Sequence, residues 1–314
     1  MRKILPLILF AGLACASCQK METKVDVQGG IGIPMTMSVS INEVEATKSS
    51  YTAEGNALKA TWDASEEISV ITYKDYYIQT IDNFTYSGDG GKASVDFSGT
   101  FTGQSILDAG GELYVIYPAL SGVYETVNRS ASYNAGFSSG YFECSNDQSS
   151  QRISFKDAYN FQIASGAGAT SYIKYVDFMT GTATFEGGVP KATLEKHMAL
   201  FKIVISCDSE TYLGNLRITE DQYCIPFTAE YSFASGWKNL NTYTTQIINV
   251  TGTWNYKDNG VFVYYLPIVP GKEIPAGTVF SFNVTGSTTH NVNKTISSAF
   301  TPAAGNVYSI NLSL

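Results

Sequence analysis

Residues 35–41 read Met-Thr-Met-Ser-Val-Ser-Ile, and this stretch decides the class of fold. Its apolar members alternate with polar ones, and they are Met35, Met37, Val39 and Ile41. A period of two residues is that of a strand with one buried face. The same alternation returns in later segments such as 199–206, whereas few segments repeat every 3.6 residues. The sequence therefore predicts an all-β protein.

Further along the chain, strand-length apolar segments are separated by turns rich in Gly, Asn and Pro, which is typical of antiparallel sandwiches. Residues 113–117, Leu-Tyr-Val-Ile-Tyr, form a continuous apolar run that predicts a buried strand. The Ser/Asn/Gly-rich segment 128–150 is interpreted as a long loop or excursion. Gly187-Gly188-Val189-Pro190 is interpreted as a boundary between an N-terminal domain, 31–190, and a C-terminal domain, 191–314. Two domains fit a chain of 314 residues.

The N-terminus predicts a lipoprotein signal peptide over residues 1–17. Arg2 and Lys3 precede a short apolar run, which is followed by small residues and Cys18. The run is too short for a bilayer, where ~20 apolar residues are needed. The predicted lipidation site is Cys18, because a polar stretch follows it at once, and Cys15 is the rival site. Residues 18–30 are then a linker.

Three further cysteines lie in the exported part of the chain, where disulfides are permitted. Cys207 and Cys224 flank a short segment and form a disulfide if their strands are neighbours. Cys144 is then a free thiol. The alternative is three unpaired thiols, and the sequence favours neither.

Composition excludes several classes of function. The formal charge is −8, and such an acidic, Lys/Arg-poor chain argues against binding to nucleic acid. The chain has two histidines, His197 and His290, which disfavours His-based catalysis and His-rich metal sites. His197 is interpreted as a structural residue, and His290 as a solvated residue at a hairpin tip. We therefore expect no catalytic residues, metal or cofactor, and no enzymatic activity.

Several segments in order along the chain resemble the fimbrillin family, the subunits and associated proteins of Bacteroidota type V pili. They are the lipoprotein start, the strand 35–41, Ala46-Thr47-Lys48-Ser49, Thr61-Trp62-Asp63, the segments 97–103 and 114–118, residues 194–201, and Ala304-Gly305-Asn306-Val307-Tyr308. Each of these segments alone is a strand with a turn. The ordered set spans residues 18–314.

The resemblance implies two tandem transthyretin-like antiparallel β-sandwich domains and a lipid-anchored, surface-exposed place at the cell outer membrane. It also implies that pilus subunits bind one another by β-strand exchange. In that scheme the strand 35–41 matches the exchangeable first strand, and the loop 45–59 matches the segment that a protease cuts. A replacement strand restores the lost ladder of backbone hydrogen bonds.

The loop departs from the family at its processing site, which is usually an Arg. It contains Lys48 and Lys59 and no Arg, so Lys48 is the candidate cleavage site. The departure leaves shaft, tip and anchor subunits open. The alternative function is a surface glycan-binding lipoprotein, with a host or bacterial surface glycan or protein as partner. An exposed aromatic row formed by Trp237, Trp254 and Tyr76 would favour that alternative, and burial of these rings would favour the pilus protein.

Overall fold

The structure, a computed structural model, describes most of the chain with side chains and some strands by their backbone alone. Side chains are described for residues 31–42, 61–75, 78–120, 177–208, 210, 212–226, 229–233, 235–242 and 261–314. The backbone alone is described for residues 52–54, 57–59, 77, 128–132, 141–147, 150–156, 160–162, 228 and 246–251.

Within these ranges the chain forms 22 strands and one short helix, which confirms the predicted all-β class. The first half contains β1 (Ile33–Ile41), β2 (Thr52–Glu54), β3 (Ala57–Lys59), β4 (Glu67–Lys74), β5 (Tyr77–Thr85), β6 (Ser94–Phe101), α1 (Gln104–Asp108), β7 (Glu112–Tyr117), β8 (Asn128–Ser132), β9 (Tyr141–Asp147), β10 (Ser150–Lys156) and β11 (Asn160–Gln162). The second half contains β12 (Met179–Glu186), β13 (Val189–Lys196), β14 (Ala199–Ser206), β15 (Leu216–Glu220), β16 (Thr228–Ser232), β17 (Gly236–Asn241), β18 (Gln246–Thr251), β19 (Val261–Ile268), β20 (Val279–Thr285), β21 (Thr289–Thr295) and β22 (Val307–Ser313). None of the described segments holds a helix with the length and apolarity needed to cross a membrane.

Seven strands close into a barrel in the order β1, β13, β12, β7, β4, β5, β6 and back to β1. The shortest junction joins β5 to β6, with Phe84 opposite Gly99 and Thr85 opposite Ser98. A Cβ at position 99 would lie 2.6 Å from Cδ1 of Phe84. Gly99 therefore allows the close approach of β5 and β6 at the point where the barrel closes.

Aromatic side chains fill the interior of the barrel around Trp62. This residue is fully buried, and its ring lies edge-on to Phe97 and Tyr117, with ring centroids 4.9 and 5.3 Å away. Edge-to-face pairs of this kind stabilise a core beyond the area that they bury. Tyr117 ends β7, which lies between β12 and β4 and is the buried strand predicted from the run 113–117.

Two further sheets pack against each other, and all of their strands except β11 come from the C-terminal part of the chain. One sheet has the order β19, β14, β22, and the other has the order β11, β18, β15, β20, β21. Phe201 on β14 and Phe280 on β20 are both buried, with ring centroids 6.0 Å apart. The two sheets thus share an apolar layer, which agrees with the predicted β-sandwich. The last strand, β22, buries Ile310 and Leu312 in this layer.

A third sheet also takes strands from both halves of the chain, in the order β17, β16, β10, β9, β8. Its two parts join where Ile153 on β10 lies opposite Tyr231 on β16. The interpretation of segment 128–150 as a loop was therefore wrong, because this segment supplies two complete strands and the start of a third.

The predicted antiparallel pairing holds for most neighbours but not for all of them. Three pairs are parallel: β1 with β13, β14 with β22, and β11 with β18. Parallel partners cannot be joined by a tight turn, so they come from distant parts of the chain. Alternation within one strand carries no information on the direction of such a neighbour.

Gly187-Gly188-Val189-Pro190 is a hairpin turn within the barrel rather than a linker. It joins β12 to β13, which pair from Glu186 opposite Val189 to Met179 opposite Lys196. Both glycines have positive φ, 59° and 83°, in the region that favours glycine. The chain passes from the barrel to β14 only after Lys196. Residues 191–196 therefore belong to the barrel, and the predicted limit at residue 190 moves toward the C-terminus.

Candidate functional site

The exchangeable strand of the sequence prediction is β1, and its apolar face is seated in the barrel. Met37 and Val39 are fully buried, Ile41 is nearly so, and Met35 packs against the core while partly exposed. Their alternation in sequence places all four on one face of the strand. Each seated side chain of this size contributes ~1.5–3 kcal/mol of transfer free energy.

β1 forms a backbone ladder with β6 along one edge and with β13 along the other, and the two ladders differ in length. The antiparallel ladder with β6 runs from Ile33 opposite Phe101 to Ser40 opposite Ser94. The parallel ladder with β13 starts only at Ser38, opposite Lys191, and ends at Ile41. In the described part of the chain, residues 33–37 thus have a ladder on one side only. The N-terminal half of β1 is the less firmly held half.

On the outer face, polar side chains of β1 pair with those of both neighbouring strands. Oγ1 of Thr36 lies 3.0 Å from Oγ of Ser98 on β6. Oγ of Ser40 lies 3.0 Å from Oγ1 of Thr193 on β13. Cross-strand hydroxyl pairs of this kind add to sheet stability and help to fix register.

Loss of β1 would turn the closed barrel into an open sheet with two new edges, β6 and β13. The space between these edges is the width of one strand, since neighbouring strands lie ~4.8 Å apart. Its floor would expose the apolar partners of β1, among them Phe97 and Val95, which lie opposite Met37 and Val39. Unpaired backbone edges beside an apolar groove are the two features that capture an incoming strand.

Two predicted sites lie outside the described residues: the lipidation site Cys18 and the candidate cleavage site Lys48. Within the loop that contains Lys48, the structure describes the short hairpin of β2 and β3. Lys59, the second lysine of the loop, is the last residue of β3. The loop therefore contains regular structure on the C-terminal side of Lys48.

The predicted disulfide between Cys207 and Cys224 is not present in the structure, and both residues are buried as thiols. The prediction required neighbouring strands. Cys207 instead follows β14 in the three-stranded sheet, and Cys224 follows β15 in the opposing five-stranded sheet. Burial is the main cause that raises the pKa of the Cys224 thiol to about 12, so this thiol is a poor nucleophile.

His197 is a buried structural residue that links the barrel to the third sheet. Its Nε2 lies 2.7 Å from Oγ1 of Thr180 on β12 and 2.9 Å from the hydroxyl of Tyr231 on β16. Burial lowers the pKa of His197 to about 4, so the ring is neutral near pH 7. Trp237 donates from Nε1 to the backbone carbonyl of His197, 2.6 Å away.

A cavity of about 610 Å³ lies beside this link, against the outer face of β1, β13 and β12. Its lining is rich in hydroxyl groups, but several already bind one another, as Ser40 does with Thr193 and Thr180 with Tyr231. Trp237, named as a candidate sugar platform, is partly buried, with its ring centroid 5.3 Å from that of Tyr231. Trp254 and Tyr76 lie outside the described residues.

The interpretation of His290 as a solvated residue was wrong. Its Nε2 lies 2.9 Å from Oε1 of Glu210, a carboxylate buried beneath the hairpin of β20 and β21. Glu210 also accepts hydrogen bonds from the backbone N–H groups of Ser287 and Thr288. The hydrogen bond with His290, followed by those with Ser287, lowers the pKa of Glu210 to about 2.

We expect Glu210→Gln to lower stability at neutral pH and to remove part of the acid dependence of unfolding. The folded pKa of about 2 lies below the ordinary value of ~4.3 for an unfolded Glu. The ionised carboxylate therefore stabilises the fold above the unfolded pKa, and this contribution disappears as pH falls toward 2. Melting temperatures measured between pH 7 and about pH 2 check this. Exposed Glu67 gives the control, Glu67→Gln, and parallel pH profiles for wild type and Glu210→Gln would contradict the assignment.

Sequence reasoning missed a buried ion pair at one end of the barrel. Nζ of Lys196, at the end of β13, contacts Oδ2 of Asp177, which lies just before β12. The two side chains are 5% and 1% exposed. Desolvation lowers the pKa of Lys196, whereas Asp177 acts in the opposite direction. The only signal in the sequence is a Lys at an inward position of an alternating strand.

Across the described residues, no group of three or more His, Cys, Asp or Glu side chains is arranged to hold a metal ion. The polar clusters found there, around His197, Glu210 and Lys196, are internally hydrogen-bonded. They hold strands together in the fold.

No family model matches the sequence, and no curated protein matches it. Among solved structures, one described as a "putative cell adhesion protein" from Bacteroides ovatus is 14% identical, with 90% of this chain and 92% of that chain covered and a TM-score of 0.52. Another with the same description, from Bacteroides uniformis, is 12% identical, with 90% and 93% covered and a TM-score of 0.45. A fimbrial protein from Bacteroides ovatus is 12% identical, with 91% and 50% covered and a TM-score of 0.38.

At these identities the comparisons bear on fold alone, and only the first has a TM-score above 0.5. This chain shares the overall fold of that Bacteroides ovatus protein. The shared fold agrees with the resemblance of the sequence to the fimbrillin family. Function is carried by sites rather than by folds, so it has to be argued from β1 and its surroundings.

Proposed function

We propose that the chain is a fimbrillin-like, surface-exposed adhesive lipoprotein, a subunit or accessory of a type V pilus that binds other subunits by strand exchange. The observation that carries the proposal is the position of β1, which closes the barrel between β6 and β13 and seats three buried side chains. The role needs a stable scaffold and a lipid anchor at Cys18 at the outer membrane. It needs no catalytic group, metal or cofactor.

Glycan binding has less structural support than strand exchange as the function of this chain. Its expected aromatic platform includes Trp237, which is partly buried and engaged with His197 and Tyr231. The cavity near β1 offers hydroxyl groups that are largely paired within the protein. We therefore propose other pilus subunits, rather than glycans, as the first binding partners of this chain at the cell surface.

The proposal predicts that the seat of β1 accepts an added strand once the loop is cut. We expect cleavage after Lys48 with a Lys-specific protease, followed by mild denaturant, to let a labelled peptide of residues 33–42 bind. Binding is followed by fluorescence anisotropy, and assembly with added subunits by size. Protein with both Lys48→Gln and Lys59→Gln, whose loop between β1 and β4 has no lysine left to cut, should bind much less peptide.

Two matched peptides separate a seated strand from non-specific adsorption. A peptide with Val39→Asp places a carboxylate on the buried face and should not bind, because an unpaired charge is costly in an apolar groove. A peptide with Thr36→Asp places the same charge on the exposed face and should bind nearly as well as the unchanged one. If all three peptides bind alike, or if cleaved protein neither binds peptide nor assembles, strand exchange at this seat is wrong.

A further inference from the structure

Exposed apolar side chains concentrate at one end of the barrel. The described residues include six large apolar side chains that are exposed, and four of them share this end: Ile31 at 93%, Phe185 at 51%, Val189 at 45% and Ile33 at 37%. The other two, Tyr212 and Tyr223, belong to the C-terminal part of the chain. Such a concentration marks a surface that meets an apolar partner.

Strand directions show that these four residues lie at the same end. β13 runs parallel to β1, so Val189 at the start of β13 lies at the end where β1 begins. β12 runs antiparallel to β13, so Phe185 near the end of β12 lies there too. The chain leaves the barrel for β14 after Lys196, at the opposite end. The set Ile31, Ile33, Phe185 and Val189 is called the apolar end below.

The apolar end is also where the chain enters from the predicted anchor. Residues 19–30, which are 12 residues, separate Cys18 from Ile31. Fully extended, they reach at most ~3.3–3.6 Å per residue, about 40 Å in all. A tether of this length holds the apolar end close to the bilayer at a high effective concentration.

The tip of the hairpin formed by β12 and β13 has a shape and a charge that suit contact with lipid. Phe185 precedes the Gly187–Gly188 turn and Val189 follows it, and both side chains are exposed. Within the hairpin, Glu186 and Lys191 neutralise each other in an ion pair of 2.7 Å. An apolar tip without net charge inserts among lipid headgroups without repulsion from an anionic surface.

We propose that the apolar end docks on the surface of the bilayer to which the chain is anchored. This inference rests on the proposed lipid anchor and concerns the uncut chain, because a cut after Lys48 that frees β1 also frees Cys18. In that state it orients the molecule. The barrel lies next to the membrane, and the passage to the C-terminal sheets points away from it. Two weak signals, one acyl attachment and one apolar tip, together hold a protein on a membrane far better than either does alone.

The test places a tryptophan at the tip as Phe185→Trp. The chain from residue 19 onward is tethered by an N-terminal histidine tag to nickel-chelating lipid in phosphatidylcholine vesicles. We expect lipids brominated in their acyl chains to quench the added emission, after subtraction of the wild-type signal from the native tryptophans. Tyr212→Trp, at an exposed position of the C-terminal part, is the matched control and should not be quenched.

Because the tag replaces the acyl chain, this test does not depend on acylation. Fatty-acid labelling of wild type and Cys18→Ala tests the anchor separately, so failure of the anchor and failure of docking are distinguishable. Absence of quenching at position 185 overturns the docking proposal. Self-association in vesicle-free solution that Phe185→Ser abolishes would also overturn it, because the apolar end would then be an interface between copies of the chain.

Discussion

Val39→Asp should unseat β1 and open the barrel. Val39 is fully buried at the centre of the seated face, opposite Val95 on β6 and Ala192 on β13. The substitution removes ~1.5–3 kcal/mol of apolar burial. It also introduces a carboxylate that has no partner among these apolar neighbours, and burying an unpaired charge costs far more than losing a methyl group. The barrel avoids that cost by releasing the strand.

The measurement combines urea unfolding with limited proteolysis of the N-terminal segment. We expect a lower unfolding midpoint and rapid removal of residues before β2. Thr36→Asp is the matched control, since Thr36 is exposed on the outer face of the same strand. If the two variants unfold at the same urea concentration and resist the protease equally, β1 does not seal the barrel.

Asp177→Ala should be the second most damaging substitution, because it removes the carboxylate that contacts buried Lys196. Breaking a buried ion pair by removing one partner costs about 3–5 kcal/mol. Desolvation already lowers the pKa of Lys196, so the ammonium loses its main compensation in the variant. The loss of stability should shrink as pH rises, since the neutral amine tolerates burial better than the ammonium.

A double variant, Asp177→Leu with Lys196→Met, distinguishes the ion pair from simple loss of volume. Replacement of both partners by apolar side chains is often close to neutral. Urea unfolding of the single and double variants gives the comparison. Equal loss of stability in both would show that packing at this position, rather than charge, determines the effect.

Local patterns in the sequence predicted the buried strands β1 and β7. The alternation from Met35 to Ile41 places its buried face correctly, and the run 113–117 is a buried strand. Both predictions depend on side chains within one strand. The burial of such a strand follows from its own pattern, an alternation in β1 and a continuous apolar run in β7, whatever its neighbours are.

Long-range pairing could not be predicted in the same way. The Gly187–Gly188 dipeptide signals a turn, but a turn within a hairpin and a link between domains look alike in sequence. The parallel partner of β1 lies about 150 residues away, and no local pattern indicates it. The third sheet pairs β10 with β16, where Ile153 lies opposite Tyr231, 78 residues later in the chain.

The polar clusters were missed for a related reason. Glu210 and His290 are 80 residues apart, and each looks like an ordinary polar residue near a turn. Their contact depends on how the hairpin of β20 and β21 folds over the segment before β15. Of the candidate site, only the buried face of β1 could be predicted from the sequence, because its apolar residues alternate along one segment.

Ser40 on β1 pairs with Thr193 on β13, 153 residues later. The chain therefore contains β1 well before it contains the strand that completes the pairing of β1. A chain made at ~5–20 residues per second needs about 8–30 s to produce the partner after the first strand. β6 is available much earlier, so β1 waits with one side covered while the other side stays open. Contacts between such distant segments form late in folding. A chain that begins to fold during synthesis would therefore spend seconds as an incomplete barrel, during which a foreign strand competes with the chain's own closure.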